Sequence, residues 1–167
     1  MHLHHVRIEG RRDALLPPGD LVDSLIHSFG GPGGPTFIVL TGANDQYVQA
    51  AGSSGRYILE SRDNYGEGFQ HLRAGRPGPL SGEKATVYYR WRCTKGIHPP
   101  LGCPLGVDAH CVLDLEAVKT ALAHYSRTGE RHAAFAWHDV TAEHEDHSAP
   151  EGEIRAIRPQ RSRSGSL

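Results

Sequence analysis

Residues 36–73 read TFIVLTGANDQYVQAAGSSGRYILESRDNYGEGFQHLR, and their pattern decides the fold. Phe37-Ile38-Val39-Leu40 is apolar and rich in β-branched side chains, which suit a pleated backbone, and Gly42-Ala43-Asn44-Asp45 supplies turn chemistry. Gln46–Ala50 reads as the return strand. Gly52-Ser53-Ser54-Gly55 turns the chain again into Arg56–Glu60, and Asn64-Tyr65-Gly66-Glu67-Gly68 leads to Phe69–Arg73. Four short strands joined by glycine-bearing turns imply an antiparallel meander, with sequence neighbours adjacent in space.

The meander needs cover on its apolar face, and the flanking sequence offers it. Before it, Asp20 reads as the cap of a helix carrying Leu21, Val22, Leu25, Ile26 and Phe29 on one side, stopped by Gly30-Gly31 and a Pro-Gly loop. After it, Asp114 caps a second helix on which Leu115, Val118, Leu122 and Tyr125 recur at helical spacing, and Gly129 lies just past its end. The fold class expected is α+β, an antiparallel β-meander sheet packed by two helices. Residues 2–8 and 85–91 read as further strands, residues 93–110 as a loop, and residues 134–137 as a short returning strand. Ile58, Leu122 and Trp137 are expected to share one interior.

At 167 residues the chain suits one domain, assigned to residues 1–140, followed by a charged tail at 141–167 expected to be mostly disordered. The 18 basic and 19 acidic residues nearly cancel, so no strong field draws in nucleic acid or an anionic membrane. Removing the tail's five acids and four arginines leaves fourteen of each sign in the first 140 residues. No apolar run approaches the length of a membrane span, and three cysteines, an odd number, argue against a fully paired disulfide framework. Cytoplasmic localisation is the expectation.

Catalytic and metal-binding patterns in the sequence are weak. Cys93, His98, Cys103, His110 and Cys111 are all zinc-ligand types, but their C-x4-H-x4-C-x6-H-C spacing lacks the tight pair of thiolates that structural zinc sites favour. A small enzyme or zinc-binding module using loop 93–111 is the alternative reading. Cys103 is followed by Pro104, which removes a backbone N–H that an oxyanion hole would use, and GSSG at 52–55 is not a nucleophile elbow. The carboxylate pairs Glu60 with Asp63 and Asp45 with Glu67 lack any feature fixing their separation. The glycine loop at 30–34 leads into a strand and so lacks the helix N-terminus of a phosphate cradle. The Arg-Ser tail reads as solvated or paired with the acidic run before it, and not as an RNA-binding arm. No cofactor and no metal is assigned.

The order of these features carries a resemblance. Tyr57-Ile58-Leu59-Glu60, a glycine-bearing turn, Phe69-Gln70-His71-Leu72-Arg73, a helix opening Leu115-Glu116-Ala117-Val118, then Gly129 and Trp137 together resemble the Imm-one type family of bacterial polymorphic-toxin immunity proteins. Coverage runs from about Thr36 to Val140. Glu60, His71, Arg73, Leu115, Gly129 and Trp137 match the pattern, whereas loop 93–111 and the charged tail depart from it. The resemblance implies a cytoplasmic, non-enzymatic protein that binds a cognate secreted toxin, encoded nearby, and occludes its active site. Some members are paired with deaminases acting on nucleic-acid bases, others with unrelated effectors. Under this reading the toxin-binding candidates are Asp45, Tyr47, Tyr57, Asp63, Tyr65 and Glu67, while Glu60 is expected to pair with a base such as Arg73 and Trp137 to fill the helix–sheet seam.

Overall fold

The computed structural model describes residues 5–11, 13–65, 68–90 and 102–145. In chain order the elements are β1 (His5–Ile8), β2 (Ala14–Leu15), α1 (Gly19–Ser28), β3 (Phe37–Thr41), β4 (Tyr47–Ser53), β5 (Arg56–Tyr65), β6 (Gly68–Gly75), β7 (Lys84–Tyr89), β8 (Cys103–Asp108), α2 (Leu115–Thr128), β9 (Ala136–Asp139) and α3 (Thr141–Glu145). Seven strands form one sheet in the order β2-β1-β3-β4-β5-β6-β9, and every pairing in it is antiparallel. The meander expected from residues 36–73 is β3 to β6. The class is α+β.

Side-chain alternation divides the sheet into two buried faces. Ile38 and Leu40 of β3, Val48 and Ala50 of β4, and Leu59 of β5 point toward α1 and α2, where Val22, Leu25, Phe29, Val118, Leu122 and Tyr125 complete one core. Phe37, Val39, Ala51 and Ile58 point the other way and meet Val87, Tyr89 and Val107 from the β7–β8 hairpin. The single interior expected for Ile58, Leu122 and Trp137 is therefore corrected. Trp137 packs with Leu122 on the helix side, and Ile58 belongs to the opposite core.

The hairpin also corrects the expected loop at 93–110. Pro104 stands opposite Tyr88 in the ladder and is tolerated because each strand of a two-stranded sheet has a free edge that needs no N–H. Proline and glycine hid a strand whose pairing comes entirely from β7. The ribbon is held to the main sheet by Ser53, whose hydroxyl donates to the Tyr88 carbonyl at 2.9 Å.

Helix ends follow local chemistry. Asp114 accepts from the Ala117 N–H at 2.8 Å, and Gly129 closes α2 in the left-handed conformation at φ 77°, as the sequence implies. At α1 the expected cap is wrong. The helix starts at Gly19 once Pro17-Pro18 ends, Pro18 is extended and its carbonyl receives Val22 N–H, and Asp20 lies inside the first turn near the positive end of the helix dipole. Leu21 remains exposed while Val22, Leu25 and Ile26 are buried.

The first residues placed in the charged tail are helical. Thr141–Glu145 forms a helix because Asp139 accepts from Thr141 N–H at 2.9 Å and Thr141 in turn accepts from the backbone N–H of His71. The rest of the expected tail, like Cys93 and His98, lies outside the described residues.

Gly52 is the tightest backbone position in the meander. At φ 149° a Cβ there would stand 2.2 Å from the Arg56 carbonyl oxygen and 2.6 Å from Tyr57 Cα, both parts of a paired strand that cannot yield. Gly52→Ala is expected to cost about 2–4 kcal/mol of unfolding free energy in a denaturant titration, the range of backbone strain plus overpacking. A loss under about 0.5 kcal/mol, the size of a neutral surface change, would contradict this packing.

Candidate functional site

One end of the main sheet gathers the polar and aromatic side chains that face solvent. The β3–β4 connection passes through a short 3-10 turn at Ala43–Asp45, where Asn44 (φ 56°) and Asp45 (φ 57°) both adopt left-handed backbone. Two successive non-glycine residues in that region are uncommon and need outside support. Asn64 on β5 provides it, donating from Nδ2 to the Asn44 carbonyl at 2.8 Å. Arg62, on the same face of β5 as Asn64, holds its guanidinium 4.2 Å above the centre of the Phe69 ring, while Asp63, on the opposite face of the strand, is ion-paired with Arg131. Tyr125 on α2 reaches the same end, its hydroxyl donating to the Gln46 carbonyl. The surface is thus tied to strand, turn and helix at once.

Behind this surface lies a buried polar cluster centred on Glu60. Glu60 is 1% exposed, His71 0% and Arg73 4%. Cross-strand register places all of them on one face, because Gln49 pairs with Glu60 and Glu60 pairs with Arg73. Glu60 Oε1 accepts from Arg73 Nε at 2.8 Å; Oε2 accepts from Gln49 Nε2 at 2.8 Å and lies 3.2 Å from His71 Nε2. An ionised carboxylate only accepts, so His71 carries a hydrogen on Nε2. Arg73 also reaches Glu143 of α3 at 2.9 Å. Burial by itself would lower the Arg73 pKa, but the two carboxylates outweigh it and raise the value, keeping the guanidinium charged. The expected Glu60–Arg73 pair is present, and Trp137 occupies the expected seam with its indole N–H donating to the His132 carbonyl.

The toxin-binding candidates fall into separate places. Asp45 is exposed on the turn into β4 and Asp63 is half-buried on the neighbouring strand β5 at the same end, so the fold brings these two into one region. Tyr47 and Tyr57 are corrected to core positions, 4% and 2% exposed. Tyr47 stands edge-on to His71, and burial pushes its pKa far above the normal tyrosine value; Tyr57 donates its hydroxyl to the Gly30 carbonyl at 2.9 Å. Aromatic residues on strands beside turns look alike in sequence whether they face solvent or core. Tyr65 ends β5, and its side chain, like Glu67, lies outside the described residues. Residues missed by sequence reasoning are Arg62, Asn64, Phe69 and Arg131. The signal for the first three was their register with His71, Phe69 and Asn64 across one hairpin.

Of the zinc-ligand types, Cys103 begins β8 half-buried, and Cys111 is buried in the 3-10 turn Ala109–Cys111, where desolvation raises its thiol pKa. His110 bonds through Nε2 to the Arg76 carbonyl and stands edge-on to His138. Among the described residues no group of three or more His, Cys, Asp or Glu side chains could hold a metal ion. A cleft of about 460 Å³ lies between the glycine loop at 30–34 and the turn at 52–55, with Arg90 along its lining. Arg90 is engaged there with Glu9 at 3.0 Å and the Gly34 carbonyl at 2.7 Å. Among the described residues no helix is long and apolar enough to cross a membrane. A scan against family models, a search of curated proteins and a search of solved structures find no match to this chain.

Two measurements check the electrostatics. Glu60→Ala leaves Arg73 and His71 buried without their shared acceptor, and should cost about 3–5 kcal/mol, with Glu60→Gln milder; a loss below about 1 kcal/mol for the alanine variant would refute the cluster's structural role. Asp139 is held at a pKa of about 2 by hydrogen bonds from Gln70 and Thr141. Its folded pKa is depressed, so its contribution is fully present above the unfolded value of about 3.9 and is lost as pH falls toward about 2. Asp139→Asn should flatten the decline of stability between those pH values. An unchanged slope would exclude the bonds as its source.

Proposed function

We propose that this chain is an immunity protein that binds a cognate secreted polymorphic toxin and neutralises it by covering the toxin's active site. The observation that carries the reading is the braced sheet end, where Asp45, Asn64, the Asp63–Arg131 pair and the Arg62–Phe69 stack are fixed before any partner arrives. A surface that is already ordered loses little entropy on association, which is what tight occlusion needs. Aromatic and arginine side chains, here Phe69, Arg62 and Arg131, are the types that anchor protein interfaces.

The densest set of acid and base groups points the same way. Glu60, His71 and Arg73 are sealed from solvent and engaged with one another, so they brace the sheet and do not meet a substrate. The ordered resemblance of residues 57–60, 69–73, 115–118, 129 and 137 to immunity proteins supplies the class of partner. The toxin's chemistry stays open, a base deaminase being one candidate. Compared with the sequence expectation the contact surface changes: Tyr47 and Tyr57 leave it, and Arg62 and Phe69 join Asp45 and Asp63.

Co-expression with the toxin domain encoded beside this gene is expected to restore growth and give a one-to-one complex on size exclusion. Phe69→Ala combined with Asp45→Arg should raise the dissociation constant at least about tenfold, on the scale of interface anchors. Neither protection nor a complex with the unaltered chain would remove the proposal.

A further inference from the structure

We infer that the cleft between the glycine loop at 30–34 and the turn at 52–55 is a binding site for a carboxylate, with Arg90 as its charge partner. Its volume of about 460 Å³ falls within the range of small-molecule sites. The walls are fixed to one another by the fold. Tyr57, 2% exposed, rises from the start of β5 and donates its hydroxyl to the Gly30 carbonyl at 2.9 Å. The Gly52 N–H donates to the Thr36 carbonyl at 2.9 Å, and the Gly30 N–H closes the loop on the Pro35 carbonyl at 2.8 Å. A concavity held in this way gives up little order when a ligand enters.

The hydrogen-bonding balance of the lining selects the ligand. Its acceptors are taken: the carbonyls of Gly30, Gly31 and Gly34 already receive the Tyr57 hydroxyl, the Gly34 N–H and Arg90 Nη2. Its donors are spare. The amides of Gly31, Gly33 and Ser54 lie on the lining and donate to no backbone carbonyl among the described residues. Among those residues Arg90 is also the only charged side chain on the lining. Glu9 accepts from its Nε at 3.0 Å and is itself occupied by the Thr36 N–H at 2.6 Å and hydroxyl at 2.8 Å. The guanidinium is thereby oriented, yet it carries more N–H groups than Glu9 and Gly34 use. Spare donors beside one cation call for an acceptor-only, negatively charged group. A single guanidinium shared with Glu9 suits one negative charge, whereas a phosphate dianion would stay under-compensated where no helix N-terminus adds to the field. Tyr57 and Leu115 give an apolar wall for a short hydrocarbon body. The carboxylate of a small organic acid and that of a peptide C-terminus share this chemistry.

Titration of the isotope-labelled full chain, followed by backbone amide chemical shifts, tests this. The probes are butyrate, butyramide, inorganic phosphate and the peptide Ala-Ala-Leu with a free or an amidated C-terminus. Butyrate is expected to shift the amides of Gly31, Gly33 and Ser54 saturably, with a dissociation constant on the order of 1 mM, and butyramide to leave them in place. The free-ended peptide binding at least about tenfold tighter than butyrate, with the amidated one silent, assigns the carboxylate to a chain terminus; equal binding assigns it to a small acid. Arg90→Gln should weaken butyrate at least about tenfold. Because Arg90 also braces the hairpin, Gly31→Val is the second variant. Gly31 lies outside the left-handed region and a Cβ there meets nothing within 4 Å, so the new side chain takes up room in the cleft and leaves Arg90 in place. It should weaken butyrate to a similar degree, and far-UV circular dichroism establishes that each variant is folded. No saturable shift at about 50 mM butyrate would overturn the inference. So would butyramide or phosphate binding as tightly as butyrate, or binding indifferent to the Gly31 change in a folded chain.

Discussion

A single carboxylate has to be satisfied out of reach of water, and much of the sheet's arrangement follows from that. Glu60 sits in the middle of β5, and its acceptors are filled from both sides by Gln49 on β4 and by Arg73 and His71 on β6. Slipping either neighbour by one residue would turn those side chains to the other face and leave the charge alone. The cluster therefore fixes the alignment of three strands more stringently than apolar side chains do, since one aliphatic residue substitutes for another at modest cost. Arg73 extends the requirement to α3 through Glu143, so the C-terminal end of the described chain is held to the same centre.

This polar strip lies on the same face of the sheet as the hairpin-side core, with the helix-side core on the other. The helix-side core joins α1 and α2 to strands β1, β3, β4, β5 and β6, while the hairpin side covers Phe37, Val39, Ala51 and Ile58. With both faces occupied, most of the sheet has no free surface, and exposure is left to its ends and margins. The braced turn at Ala43–Asp45 and the open margin at β2 are two such places among the described residues.

The meander, the two helices, the Asp114 cap and the Gly129 stop were legible because each rests on local rules: period, cap chemistry and positive φ. The Glu60–Arg73 pair was legible from the spacing of two strands about one turn. Burial on both faces was not recovered, although the unbroken apolar run Phe37-Ile38-Val39-Leu40 is its signature, since a strand with one wet face alternates. Strand β8 escaped because Pro104 and Gly106 oppose strand formation locally and are overruled by pairing with β7. The site was half visible. Asp45 and Asp63 carry charge that sequence can flag, but the burial of Tyr47 and Tyr57 depends on which face each strand presents, a property of register and not of residue type.

The join of β9 to β6 links parts of the chain far apart in sequence, with Leu72 opposite Asp139 and Ala74 opposite Trp137. A chain leaving the ribosome in order has its meander complete long before residue 136 emerges. Until then Arg73 holds Glu60 without Glu143, and the outer margin of β6 is an unsatisfied ladder open to any passing strand. During that interval the growing chain carries an open strand margin, and the arrival of β9 and α3 covers it and completes the pairing of Arg73.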